Sequence, residues 1–211
     1  MATSHFQLIV ISCLWVLISL TFHEWAHACV ALCFGDETPR IQGRLTLNPL
    51  AHISFFGSVV IPLLCAFSSF QVLGWARPVE VCPENFKHRN FGDLCCSLAG
   101  PLMNFLLAFL LVFASEWACR HGASWGSLLL IGASCNISLG LFNLIPIPPL
   151  DGAHVLKIFF RMSEATFVSY ASVGTLLLLI LINIPWFTTG FAIIHRSVFL
   201  WLDTVVLSYC F

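Results

Sequence analysis

The chain has 211 residues, 59% hydrophobic and only 9% charged, with a formal net charge of −1 and a mean hydropathy of +0.93. A soluble domain carries about 25% charged residues, so this composition cannot coat a water-facing surface and indicates a polytopic membrane protein. The near-zero charge excludes a nucleic-acid-binding surface, and the length suits one membrane domain over residues 1–211 with no separate soluble unit.

The first apolar segment runs from about Phe6 to Phe34, has no Lys or Arg before it, and is not read as a cleavable signal. It contains His23-Glu24-Trp25-Ala26-His27. On a helix, two His four residues apart share one face and can hold one metal ion, while the intervening Glu can act on water at that metal. Ionisable side chains at membrane depth are costly, which makes them functional candidates. The bland alternative is a polar patch on a packed helix, each His bonded to its neighbours.

Residues 36–52 are polar and rich in Thr, Asn, Gly and Pro; the alternation Ile41-Gln42-Gly43-Arg44-Leu45-Thr46-Leu47 predicts a short strand or β-hairpin near the site. A second apolar segment, 53–75, carries bend points at Gly57, Pro62 and Gly74. Segments 94–118, 125–148 and 165–187 are long enough to cross a hydrocarbon core of about 30 Å at about 1.5 Å per residue. The last, 190–210, is interrupted by His195, Arg196 and Asp203. The expected fold is therefore all-α and polytopic, with about five to six transmembrane helices, a re-entrant segment and a short hairpin. A catalytic core would cover about 6–160 and C-terminal helices about 165–211. The ten Cys form no C-x-x-C pair and are expected as reduced thiols.

Catalytic zinc takes three protein ligands and leaves a position for water. The best third candidate is Asp151, in Asn143-Leu144-Ile145-Pro146-Ile147-Pro148-Pro149-Leu150-Asp151-Gly152. Three Pro in four residues cannot continue a helix, and irregular backbone at membrane depth is tolerated only against protein or a water-filled cavity. Taken alone, the run could be a membrane-exit turn; beside H-E-x-x-H it supplies a ligand.

These two motifs resemble the paired motifs of the site-2 protease family of intramembrane metalloproteases. Ala99-Gly100-Pro101-Leu102-Met103-Asn104 resembles that family's middle motif. Gly43 through His52, and Gly74-Trp75-Ala76-Arg77-Pro78-Val79, resemble its compact bacterial branch, which lacks an appended PDZ domain. The resemblance covers roughly residues 15–160. It implies one Zn²⁺ per chain bound by His23, His27 and Asp151, with Glu24 as general base. Asn143 would bond the substrate carbonyl or its oxyanion, and Asn104 would order the helix core or a substrate strand. The implied activity is hydrolysis of peptide bonds in or near transmembrane segments of membrane proteins. The implied partners are such a substrate and membrane lipid, and the implied location is a bacterial inner membrane. No feature of the sequence assigns an oligomeric state.

Parity gives a topology. If 53–75 crossed fully, the first and fourth segments would run in opposite directions, and His23 and His27 would lie far from Asp151. A re-entrant path brings both exits to one face. It also places Arg40, Arg44, Arg77, Lys87, Arg89, Lys157 and Arg161 together opposite Arg120, which the positive-inside rule assigns to the cytoplasm. The competing functions are a membrane metal-ion transporter, which needs a continuous polar path, and a catalytically inactive scaffold, which should have lost a key residue. His52 and His154 are read mainly as packing or solvent contacts. Asn136, seven before Asn143 and on the same helical face, is expected to bond another helix.

Overall fold

The computed structural model describes residues 5–209 except 53–77. The expected re-entrant segment lies outside the described residues. The others form helices α1 (His5–Cys33), α2 (Thr38–Ile41), α3 (Pro49–His52), α4 (Arg89–Arg120), α5 (Gly126–Asn143), α6 (Asp151–Phe159), α7 (Glu164–Leu181) and α8 (Pro185–Tyr209). Among the described residues, α1, α4, α5, α7 and α8 are long and apolar enough to cross a membrane. The protein is an integral membrane protein. Its many exposed Leu, Ile, Val and Phe side chains are what a lipid-facing surface requires, because lipid tails are as apolar as the side chains they meet.

Two contacts fix helix directions. The Phe34 ring, just past α1, meets Phe86 and Phe91 at the start of α4, with centroids 6.0 and 5.8 Å apart, so α1 and α4 are antiparallel neighbours. Trp15 Nε1 donates to the Leu128 carbonyl at 2.9 Å near the start of α5, and His23 is linked through Asn104 to Asn136 farther along it. Helices α1 and α5 therefore run parallel and end on one face.

Small residues let these helices approach. A Cβ on Gly132 would fall 2.5 Å from the Trp15 indole, and one on Gly140 would press on the Phe105 ring at 3.1 Å. Close backbone approach of this kind drives helix association in lipid. The core continues through Ala108, Val112, Ala133 and Ile137 to Leu202 and Val206, so α8 packs on α4 and α5 as one continuous helix despite His195, Arg196 and Asp203. His195 makes its contact at Ser134, with Nε2 3.2 Å from the hydroxyl oxygen.

The predicted hairpin over residues 41–47 is not formed. Pro39 lies in the first turn of the one-turn helix α2, Gly43 takes φ +68° in a turn at 42–43, and residues 44–48 follow as irregular chain with a bend at 45–46. The apparent alternation comes from a turn chain instead: Arg44 donates to the Ala51 carbonyl and His52 Nε2 to Thr46 O at 2.9 Å. The fourth apolar segment also ends earlier than its composition implies. Helix α5 stops at Asn143, and Asp151 opens the separate helix α6.

Candidate metal centre

The H-E-x-x-H run sits in the last third of α1, with His23 3%, His27 8% and Glu24 9% exposed. Asp151 arrives from the chain after α5. Residues 144–150 fold back so tightly that a Cβ on Gly152 would lie 2.6 Å from the Ile145 carbonyl oxygen and closer still to that of Leu144. Helix α7 braces this loop: Tyr170 Oη donates to Pro146 O at 2.5 Å, and Gly174 lies under the Pro148 backbone.

Asp151 Oδ2 lies 3.1 Å from His23 Nε2 and 3.4 Å from His27 Nε2, and the two Nε2 atoms are 3.1 Å apart. The far nitrogens are engaged. His23 Nδ1 is 2.6 Å from Asn104 Oδ1, and His27 Nδ1 is 2.7 Å from the Cys96 carbonyl. A carbonyl only accepts, so His27 carries its proton on Nδ1 and presents a bare Nε2. Metal-binding imidazoles are commonly held by this kind of outer bond.

Two imidazole nitrogens and a buried carboxylate oxygen thus face one point, and among the described residues Oδ2 meets no donor other than those two rings. Acceptors converging without a donor need a cation. The donor set, two N and one O within 4.8 Å of one another, fits a divalent ion such as zinc with one open position.

Gly100 of α4 forms the wall of this point. A Cβ there would come within 2.5 Å of His23 Nε2 and Cε1, and closer to His27 Nε2. Glu24 Oε2 accepts from the Val79 backbone N–H at 2.8 Å. The fully buried Asp36 fixes the stretch containing Val79, accepting from Cys82 N at 2.8 Å, Asn85 Nδ2 at 2.9 Å and Thr38 Oγ1 at 2.6 Å.

The structure thus brings together His23, His27 and Asp151, with Glu24 adjacent and Asn104 behind His23. Asn143, at the end of α5, donates to Leu139 O of its own helix at 3.0 Å. His154 stands 3.5 Å from the buried Asp93, a contact between α6 and α4. Sequence reasoning missed Asp36, Val79, the Cys96 carbonyl and Gly100 as parts of the site. Gly100 and Val79 carried a signal, each lying inside a motif already singled out.

The sequence profile of Peptidase family M50 matches residues 115–182. YwhC of Bacillus subtilis (strain 168), provisionally named a zinc metalloprotease, is 40% identical over 150 residues, covering 67% of this chain and 65% of that one. Rip2 of Mycolicibacterium smegmatis, named in the same way, is 33% identical over 144 residues, covering 67% of this chain and 54% of its own. The zinc metalloprotease MJ0392 of Methanocaldococcus jannaschii is 28% identical over 142 residues, covering 67% and 32%. The chain therefore matches less than two thirds of the length of each of these relatives. No solved structure matches it.

Proposed function

Because the chain belongs to peptidase family M50, the site-2 protease family, we propose that it is a zinc metalloprotease cleaving peptide bonds in or near transmembrane segments of other membrane proteins. The convergence of His23 Nε2, His27 Nε2 and Asp151 Oδ2 on one buried point carries this reading.

His23, His27 and Asp151 would hold one zinc. When bound, zinc acidifies a coordinated water and polarises the scissile carbonyl. Glu24, in the turn between the two His, accepts the water proton and passes it to the leaving amine. Its carboxylate accepts from the Val79 amide, and Asp36 anchors the same stretch three residues on, at Cys82 N. Asn143, half-buried at the end of α5, has one amide hydrogen on Leu139 O and a second to offer to a developing oxyanion. Asn104 orients His23 rather than contacting the reacting atoms.

The chemistry would take place near one membrane face. Arg89 and Lys157, both bonded to Glu164, cluster at the site's end of the bundle, and the positive-inside rule makes that end cytoplasmic in a bacterial inner membrane. The substrate would be a membrane-embedded segment reaching the site with lipid around it. A transporter needs a polar path through the bilayer; here the polar groups of α1, α4 and α6 converge instead.

The test is zinc content and cleavage of a membrane-embedded substrate by purified wild type, Asp151→Ala and Glu24→Gln. About one zinc per chain in wild type and Glu24→Gln, with zinc lost from Asp151→Ala and cleavage from both variants, is the expected pattern. Equal zinc in wild type and Asp151→Ala would remove Asp151 from the site.

A further inference from the structure

His27 has its tautomer set directly by a backbone carbonyl. His23 does not, because its Nδ1 faces a side-chain amide that could present either oxygen or nitrogen. The answer lies two residues away.

Asn104 Nδ2 donates to Asn136 Oδ1 at 2.9 Å, and Asn136 Nδ2 donates to the Gly132 carbonyl one turn back on α5, also at 2.9 Å. Asn104 and Asn136 are 0% and 1% exposed, so no water competes for these groups. The Gly132 carbonyl only accepts, so Asn136 must turn its NH₂ toward it and its oxygen toward Asn104. Asn104 then offers NH₂ to Asn136 at 2.9 Å and, at a longer 3.4 Å, to the Ser19 carbonyl, and its oxygen to His23, 2.6 Å away. Only a protonated Nδ1 completes that row. Reversing it would set two oxygens face to face at Gly132, and the cost of an unmet buried polar group has no solvent to relieve it.

We infer that Asn136, which touches neither metal nor substrate, is a positioning residue that fixes the His23 tautomer through Asn104 and so keeps Nε2 bare for zinc. The inference rests on the zinc-site reading above. In the opposite tautomer, Nε2–H would point at Asp151 Oδ2, 3.1 Å away, and a proton would occupy the place of the metal. The α4–α5 interface thereby sets the chemical state of a ligand on α1.

The experiment uses ¹⁵N-histidine-labelled full chain in detergent, stripped of metal, with His23 assigned from the spectrum of His23→Gln. Zinc affinity is measured separately by competition with a chelator of known affinity. Wild type should show His23 protonated at Nδ1. Asn136→Leu, with helix content retained, should show mixed tautomers and bind zinc about tenfold more weakly, at the low end of the range for outer-shell partners. Asn136→Asp should restore both, since a neutral carboxyl can accept from Asn104 and donate to Gly132. A wild-type His23 protonated at Nε2 overturns the inference whatever the variants do, including an Asn136→Leu that fails to fold. So does a folded Asn136→Leu with wild-type tautomer and affinity. Wild type that binds no zinc defeats the protease reading instead, and leaves the tautomer assignment to the ¹⁵N spectrum alone.

Discussion

Glu24 and Val79, 55 positions apart, are joined by a backbone N–H donating to Oε2 at 2.8 Å. The carboxylate between the two metal-facing His is thus held from outside its own helix by a stretch of chain that carries no chemistry of its own. Glu24→Gln keeps the shape and an acceptor for Val79 but cannot take a proton. It should retain zinc and lose about 10²- to 10⁴-fold in cleavage rate, measured as single-turnover cleavage in detergent. Wild-type turnover in that variant would end the general-base assignment.

Gly100 is expected to tolerate no side chain. Its Cβ would meet His23 Cε1 at 2.5 Å and crowd His27 as well. Gly100→Ala should push the imidazoles off their common point and abolish zinc binding, while costing about 1–3 kcal/mol of stability from overpacking. Zinc analysis beside a thermal melt separates the two effects; wild-type zinc content in a folded Gly100→Ala would contradict the geometry.

Stripping zinc should cost stability as well as activity. A ligand bound only by the folded state contributes about 4 kcal/mol when present at about a thousand times its Kd. A chelator should therefore lower the melting temperature of wild type and leave that of Asp151→Ala unchanged. Equal shifts in the two would place the metal elsewhere.

Asp36 gives the chain a pH-dependent brace. Burial alone would raise its carboxyl, but the bonds from Cys82, Thr38 and Asn85 outweigh burial and lower it below the usual value. A depressed folded value means the stabilisation is full above the unfolded value of about 3.9 and fades as pH falls through the lower folded one. Asp36→Ala should be less stable by on the order of 3 kcal/mol at neutral pH, and its disadvantage should shrink in acid. Denaturant unfolding at pH 7 and in the acid range checks both; a deficit that grows in acid would reverse the sign.

The spans and the three candidate ligands were legible because composition and helical spacing are local signals: 59% hydrophobic residues and His at positions 23 and 27 need no tertiary knowledge. Asp151 was legible because Pro146, Pro148 and Pro149 forbid a helix just before it. The hairpin reading failed where period two arose from a turn chain, with Pro39 in the first turn of α2 and Gly43 in the left-handed region. Asn136 was read as bonding another helix, and it does so at Asn104 of α4, although its own position does not name that partner. Asp36 was opaque for another reason: it acts through Cys82 and Asn85 on a distant stretch, and an isolated Asp gives no sign of which groups it will meet.

The two halves of the metal centre are made at different times. His23 and His27 are synthesised early and Asp151 only after α4 and α5, the helices that align them. A ribosome-bound chain, or one whose middle helices insert the wrong way round, therefore carries the histidines without their carboxylate. The three ligand atoms therefore face one another only in the assembled bundle, and neither half of the chain carries the cluster alone.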